Sequence, residues 1–553
     1  MVKSFFNFLL LSSLLILGAC ASKMKDQMQA YREAYASGKY EKAAELLNES
    51  ELKKDDKSKL LWLLEKGTLF LSQNKDDEAI NSFQAAVELI DQLYTKKISA
   101  KAASFLINDA SDVFYGASYE RSYAHYFLSK SYYSRYQKTQ NKLDLQGARG
   151  TILAWDTYFT ELQRSAAPKT IYQTDLMMKI FGAEVHEVSK IRNDKQIALQ
   201  LYKDALIILD SMGGAFDVFN TKSEAYIKDY EKALSDGKKP NLKFYVPTAA
   251  QEELKDFLHY KVLALTREIR NTDFNQQVKA LEPSASVLKK VSGPQSNVVI
   301  LLEEGLIPRK VGNPFNFGLK GAVDSVESPA AKAFISQVGG AVLTAFAMST
   351  LGMQPRSFKD SSSFVFAAET TRVGVNEAAI SFELPMIEKS NSLKDFELVI
   401  LDGQGVVLKK EKLAIISENG AIAKVVLEED ALSRYIKTGT RVAVKHILAI
   451  VAAMQVHRKL QGNGSFIAGA AAMATYVGAS KGIAALEKAD TRHWTTLPQA
   501  FRMMELNLPA GSYQVGISIP NEAKTEAALK ILGNIQVQES VKAIHTFKLI
   551  STN

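Results

Sequence analysis

The sequence predicts a multidomain α+β chain. A helical solenoid over residues 20–290 precedes a β-sandwich-like domain over 291–553, with apolar helices inserted near 330–353 and 436–487. Three observations carry that expectation. From residue 24 to 290, apolar positions recur at helical spacing with few prolines. Beyond 290 the apolar runs shorten, become β-branched and are separated by turn pairs. Two apolar, small-residue-rich stretches, 333–353 and 464–480, then interrupt the strand texture. At 553 residues the chain exceeds one compact core, so two or three domains are expected.

Residues 1–19 read as a separate targeting element. An apolar run from Phe5 to Leu17 follows one basic residue, Lys3, and closes on Gly18 and Ala19 before Cys20. It is too short for a spanning helix and lacks charged stop-transfer flanks, so it has the form of a secretory signal. Its "LGAC" end resembles the bacterial lipobox, which implies cleavage before Cys20 and acylation of its sulfur and new amine. Several acyl chains, at about 0.8 kcal/mol per buried methylene, make a stable anchor. Cys20 is the sole cysteine, so the exported chain forms no internal disulfide and depends on its core. Ala21, where Asp would favour inner-membrane retention, resembles the pattern of lipoproteins sent to the periplasmic face of the outer membrane. No cofactor is expected beyond that covalent lipid.

A repeat runs through the helical half. "SQNKDDEAINSFQAA" sets Ala79, Phe83 and Ala86 at a small-x3-aromatic-x2-small spacing, with Gly67 twelve positions upstream. Ala198, Tyr202 and Ala205 repeat it, as do Gly38, Tyr40, Ala43 and Leu47 in the same register. The pattern resembles the tetratricopeptide repeat (TPR), where small residues let paired helices approach and an aromatic fills the gap. The interval from Ala43 to Ala79 is 36 residues and that from Ala148 to Ala198 is 50, so the array is irregular. Between these units Tyr115, Tyr119, Tyr123 and Tyr126 step by four, four and three, which places them on one helix face. Such a stripe reads first as core and second as a ligand wall, with Glu120 and Arg121 available to partner buried hydroxyls.

In the second half, "NVVILLE", "AAISFELP", "FELVILDG", "GVVLKKE", "LAIISE" and "AIAKVV" read as strands, with turns at Asp402-Gly403 and Asn419-Gly420. Pro509-Ala510-Gly511 reads as a hairpin turn. The 333–353 stretch, uncharged over 21 positions, is long enough to span a bilayer, but its Gly339-Gly340 pair favours close packing. Burial against the sheet is the expectation for it and for 464–480; membrane insertion or an oligomeric seam is the alternative.

Catalytic signatures are missing. There is no phosphate loop and no nucleophile elbow, and "GNGSF" at 462–466 lacks a dinucleotide fingerprint's third glycine. His446 and His457 are eleven apart, unlike a helical zinc pair. Glu303-Glu304 and Glu428-Glu429 would point to opposite faces on strands. The net charge of +8 is dispersed, without a nucleic-acid footprint. What remains is "ADTRHWTTLP", 489–498, where Asp490, Arg492 and Trp494 crowd into five positions. A structural latch is expected there: an Asp490–Arg492 pair across a turn, Trp494 in the sheet edge, and Pro498 ending the irregular stretch. A binding surface and then catalysis are the alternatives.

Three stretches together resemble a family of bacterial TPR-like outer-membrane lipoproteins. They are "FYGASYERSYAHYFLSKSYY" (114–133), "VVILLEEGLIPRKV" (298–311) and "ADTRHWTTLPQAF" followed by "LPAGSYQV". The stretch "LQGARGTILAWDTYF" is more apolar than that family's pattern. The resemblance implies location and architecture and brings no activity; relatives in that family are encoded beside small lipoproteins that resemble activators of peptidoglycan synthases, which implies cell-wall assembly as a setting. The expected function is therefore a non-enzymatic periplasmic scaffold, binding an envelope protein on the solenoid's concave face. A membrane-inserting or oligomeric assembly component, and a peptidoglycan-acting enzyme using Glu120, Asp490 or Glu303 as its acid, are the alternatives.

Overall fold

The computed structural model describes residues 23–99, 112–164, 175–189, 191–211, 245–318, 379–389, 395–429, 465–519, 528–539 and 541–550, with a few shorter stretches. Residues 1–19, Cys20 and 333–353 lie outside the described residues. Within them the chain is mixed helix and sheet. The helices are α1 (23–36), α2 (Tyr40–Glu49), α3 (Lys59–Ser72), α4 (Asp76–Ser99), α5 (Ser118–Thr139) and α6 (Lys142–Arg164), then α7 (Leu176–Glu187), α8 (Arg192–Ser211), α9 (Ala249–Ile269), α10 (Phe274–Leu281) and α11 (Ala285–Ser292). Single turns and a short ribbon pairing Asn220–Lys222 with Tyr245–Pro247 are left unlabelled.

Successive helices pack as neighbours, α3 on α4, α5 on α6, α7 on α8, and α9 on α8. Local chemistry sets the turns. Asn74, between α3 and α4, and Gln140, ending α5, both take left-handed backbone, which reverses the chain in few residues. Asp175 caps α7 by accepting from the Met178 N–H at 3.2 Å. Of the spaced residues of the repeat, Ala79, Phe83, Ala86, Ala148, Trp155, Ala198, Tyr202 and Ala205 are fully buried, while Gly38 is exposed and Tyr40 half-buried. Gly67 of α3 faces the Phe83 ring so closely that a Cβ there would lie 2.7 Å from it.

The strands are β1 (Val298–Glu304), β2 (Lys310–Gly318), β3 (Ala379–Ile387), β4 (Glu397–Leu401), β5 (Val407–Lys412), β6 (Ala414–Glu418), β7 (Ala500–Leu506), β8 (Gly511–Ile519), β9 (Ala528–Val537) and β10 (Ala543–Leu549). Helices α12 (Asn419–Glu429) and α13 (Ser465–Leu486) fall between β6 and β7. One sheet runs β10-β1-β7-β6 and a second β9-β8-β4-β5, while β2 and β3 pair with each other. All pairings are antiparallel except β10 on β1.

Strand β1 explains the layering. All seven of its residues are buried. Val299 and Leu301 join Ile416, Phe501, Met503 and Ile544 in the core shared with the helices. Val298, Ile300 and Leu302 join Met504, Leu506 and Leu549 in a second core with Leu398, Ile400, Val515, Ile517 and Ile535 of the other sheet. The first sheet is thus covered on both faces, by helices on one and by strands on the other, which is why "VVILL" reads as an unbroken apolar run. The inner helices α3, α5, α7 and α9 all place side chains against it or against the chain that leads into it. The helical face expected to receive a partner therefore carries the chain's own sheet.

Three sequence expectations change. "AIAKVV" is part of helix α12, not a strand. The Glu418 carboxylate accepts from the Ala421 N–H at 2.6 Å and starts the helix where a turn at Asn419-Gly420 was expected. Ile422 and Ala423 then pack into the helical core, where tertiary burial outweighs β-branched propensity. Pro509-Ala510-Gly511 carries the chain from β7 in one sheet to β8 in the other, so it is a crossover and not a hairpin turn. Tyr115 precedes α5 and is only half-buried, so the stripe begins at Tyr119. Asp402 does turn a hairpin, its carboxylate accepting the Gln404 and Val406 N–H groups at 2.8 Å between β4 and β5.

Gly67→Ala should destabilise the chain by about 1–3 kcal/mol through overpacking, although alanine is the better helix former. Denaturant unfolding checks this; a gain in stability would refute the close Gly67–Phe83 approach.

Candidate functional site

The segment 489–499 forms no helix and no strand. It passes between α3, α5 and the first sheet, so its backbone polar groups leave water without a ladder to satisfy them. Two buried carboxylates take over that role. Glu65 of α3, fully buried, accepts from the Thr495 N–H at 2.6 Å, the Thr495 hydroxyl at 2.7 Å and the Thr496 hydroxyl at 2.5 Å. Glu120 of α5 accepts from the Trp494 N–H at 2.7 Å and from its own helix start, the Ala117 N–H, at 2.6 Å. The carbonyls find donors too. Arg32 of α1 donates to Thr495 O and Ile307 O, both at 2.7 Å, and Asn419 Nδ2 donates to Pro498 O at 2.7 Å.

Trp494 is completely buried; its indole N–H donates to Thr68 Oγ1 at 3.0 Å and its ring lies 5.1 Å from Phe127 and 6.0 Å from Phe83. It plugs into the helical half and not, as the sequence suggested, into the sheet edge. Arg492 grips Asp490 through Nε and Nη2, each at 2.9 Å, and reaches Ser58 Oγ and Asp112 O beyond it. The pairing expected between Asp490 and Arg492 is present, and it also ties the segment to the chain before α5.

Burial pushes the Glu65 and Glu120 carboxyls above their ordinary range, against the pull of the N–H and hydroxyl groups they accept from. His493 is held neutral, its imidazole pushed down to about 3 by burial. Asp490 stays below the usual carboxylate range: burial opposes its charge, and Arg492 overcomes it.

The tyrosines of α5 look across to strands. Tyr123 OH pairs with Ser417 Oγ of β6 at 2.9 Å, and its ring stacks on Phe501 of β7 at 5.4 Å. Tyr126 OH donates to Glu303 of β1 at 3.0 Å, and Lys130 holds the same carboxylate at 2.5 Å. Strand residues thus partner these hydroxyls, in place of Glu120 and Arg121; Arg121 instead donates to Gly116 O at 2.9 Å. Tyr119 is buried. Glu303 and Glu304 do face opposite ways, the latter pairing with Arg502 at 2.7 Å. Glu428 and Glu429 lie on helix α12.

A second polar centre, which the sequence reading missed, lies where α7, α9, β7 and β10 meet. Glu184 and Glu187, one turn apart on α7, converge with Glu505 of β7 so that one oxygen of each lies within 4.8 Å of the others. Lys261 of α9 reaches Glu187 and Glu505 at 2.5 Å. Lys542 reaches Glu184 and Glu505 at 2.7 Å and also contacts Glu187. These carboxylates are of the type that binds a metal ion, but two ammonium groups already stand among them. Burial and the neighbouring Glu505 charge raise Glu184 to about 7. Glu505 sits at about 2, because the two lysines outweigh its burial. The available signal was a lone charge inside an apolar run: Glu184 in "FGAEV", Lys261 in "HYKVLAL", Glu505 in "MMELNL".

Comparison with protein-family models, curated proteins and solved structures finds no match to this chain.

Trp494→Ala should cost about 3–5 kcal/mol, as expected for emptying a buried aromatic site; equilibrium unfolding measures it, and a loss below about 1 kcal/mol would contradict the tie. The Glu–Lys centre makes a pH prediction. A carboxyl raised to about 7 stabilises fully below its unfolded value, and that contribution disappears as pH rises through about 7. Glu505, lowered to about 2, contributes above the unfolded value and loses this as pH falls toward 2. Wild type should therefore lose stability against Glu184→Gln between about pH 5 and 8. A difference that stays constant across that range in urea titrations would contradict the assignment.

Proposed function

We propose that this chain is a non-enzymatic scaffold of a bacterial cell envelope. It is anchored by lipid on Cys20 at the periplasmic face of the outer membrane and binds another envelope protein. Its TPR-like solenoid is closed over a β-sandwich-like domain of the same chain. The observation that carries this reading is the division of the helical surface. The inner helices are covered by the first sheet and by segment 489–499, while the outer layer keeps large apolar side chains in water. Leu143 and Leu153 of α6 are 69% and 68% exposed, and Ile191 at the start of α8 is 60% exposed. Isolated exposed leucines are ordinary, but these sit on neighbouring helices joined by Arg149–Asp194 and by Lys179, which bridges Asp156 and Asp204. Partner binding thus moves from the concave face, where the sequence put it, to the outside of the helical half. Cell-wall or outer-membrane assembly is the setting that the family resemblance favours.

The enzyme alternative has less support. Glu120, Asp490 and Glu303, the candidate acids of an enzyme, are each held by a partner: the buried Trp494 N–H, the half-buried Arg492 and the buried Lys130. Among the described residues no helix is long and apolar enough to cross a membrane; the 333–353 stretch, on which the membrane-inserting alternative chiefly rests, lies outside them.

A photoreactive residue at Leu153 should crosslink one discrete envelope protein in cells, and Leu143→Asp combined with Leu153→Asp should abolish that band without lowering the unfolding midpoint. Crosslinks to abundant porins alone, or a partner band unaffected by the double substitution, would count against the scaffold reading.

A further inference from the structure

The Glu–Lys centre forms the inner wall of a cavity of about 400 Å³ between α7, α9 and the end of β7. That volume lies in the range of small-molecule sites. Glu187, Glu505, Lys261 and Lys542 line its depth, and its mouth carries the Lys195–Glu268 pair together with the exposed amides Gln295 and Asn507. The lining carries both signs of charge and several amides alongside Val188, Ala264 and Leu265, unlike a purely apolar packing defect.

Two observations define what this cavity lacks. The buried centre holds three carboxylates, Glu184, Glu187 and Glu505, against two ammonium groups, Lys261 and Lys542, so one negative charge is in excess when all are ionised. Lys195 and Glu268 cancel each other at the rim. Of the other titratable groups packed around it, Tyr202 of α8 donates to Glu187 at 3.3 Å and Tyr260 of α9 is hydrogen-bonded to Ser296; Lys290 of α11 lies over the Tyr260 ring at 4.3 Å, and its charge, felt by Glu505 from outside the three-carboxylate cluster, offsets part of that excess. Separately, Oε2 of Glu505, a residue only 4% exposed, has no hydrogen-bond partner among the described residues. A buried carboxylate oxygen without a donor is costly. Excess negative charge and a missing donor are both answered by an N–H-bearing cation. A divalent metal ion fits less well, because the Lys542 ammonium already occupies the focus of the three carboxylates.

We propose that this cavity binds a small polar solute through one protonated amine, seated against Glu187 and Glu505, with its polar body against the amide-lined mouth. A proton on Glu184 competes with such a ligand, since it removes the same excess charge. Binding of the amine therefore strengthens as pH rises through about 7, where Glu184 ionises.

The test uses the purified chain and a matched pair of probes, 6-aminohexanamide and hexanamide, which differ by the ammonium group. Calorimetry should show saturable binding of the amine at about pH 8, at least about fivefold weaker at about pH 6, and no binding of hexanamide. Asn507→Trp, at the exposed mouth, should abolish the binding by filling the entrance. Gln295→Arg should weaken it by adding positive charge, so the assignment does not depend on one variant folding. Equal binding of both probes, binding of neither, an affinity flat across pH, or full affinity in both variants overturns the proposal. Tight calcium binding reversed by a chelator would likewise replace the amine with a metal.

Discussion

Burial of the first sheet on both faces is the constraint on which the rest of the structure depends. An antiparallel sheet with one wet face can leave its polar side chains to water. Here the face toward the helices is dry, and each polar side chain on it needs a partner supplied by a helix. Tyr126 and Lys130 answer Glu303, and Lys261 answers Glu505. Tyr133 answers the Ile544 N–H. The helices are therefore more than a lid. They complete the hydrogen bonding of the strands, and their register along the sheet is set by these pairs as well as by packing. Leaving one partner of such a pair behind costs more than the pair's net contribution, which makes the arrangement specific.

Segment 489–499 applies the same rule to irregular chain. A stretch without a ladder can be buried only if side chains substitute for it, and Glu65, Glu120, Arg32 and Asn419 do so from four separate elements. The burial that raises both glutamates shows that these carboxylates are kept in place for their hydrogen bonds, at a cost in solvation. Residues that suggested catalysis in the sequence are engaged in these contacts: Asp490 with Arg492, and Glu120 with the Trp494 N–H. The reserve of unspent polarity lies instead at the Glu184–Glu505 centre.

Much of the helical half was legible because small and aromatic residues at fixed spacing can only be helix seams, and Ala79, Phe83, Ala198 and Tyr202 are fully buried as that pattern requires. Strand β1 was legible from its apolar run. What sequence could not supply was long-range pairing. Glu65 meets Thr495 across 430 positions, and Tyr126 meets Glu303 across 177. Neither local spacing nor composition encodes such distances. The helix in "AIAKVV" was misread because β-branched residues suit a strand locally, while the Glu418 cap that starts the helix lies just outside the run. The Asp490–Arg492 pair, two residues apart, was found because it is local; the destination of Trp494 was missed because it is not.

The pairing of β10 with β1 has a consequence in time. Strand β1 is central in its sheet, yet one of its two neighbours is the last strand among the described residues, 245 positions later in register from Val298 to Ala543. During synthesis the helical half emerges first, followed by β1 with an open edge and a dry face not yet covered. Contacts of such high sequence separation form slowly and leave strand edges exposed meanwhile. A chain of this kind gains from a holdase until strand β10 arrives, so completion of its first sheet is paced by the late part of synthesis.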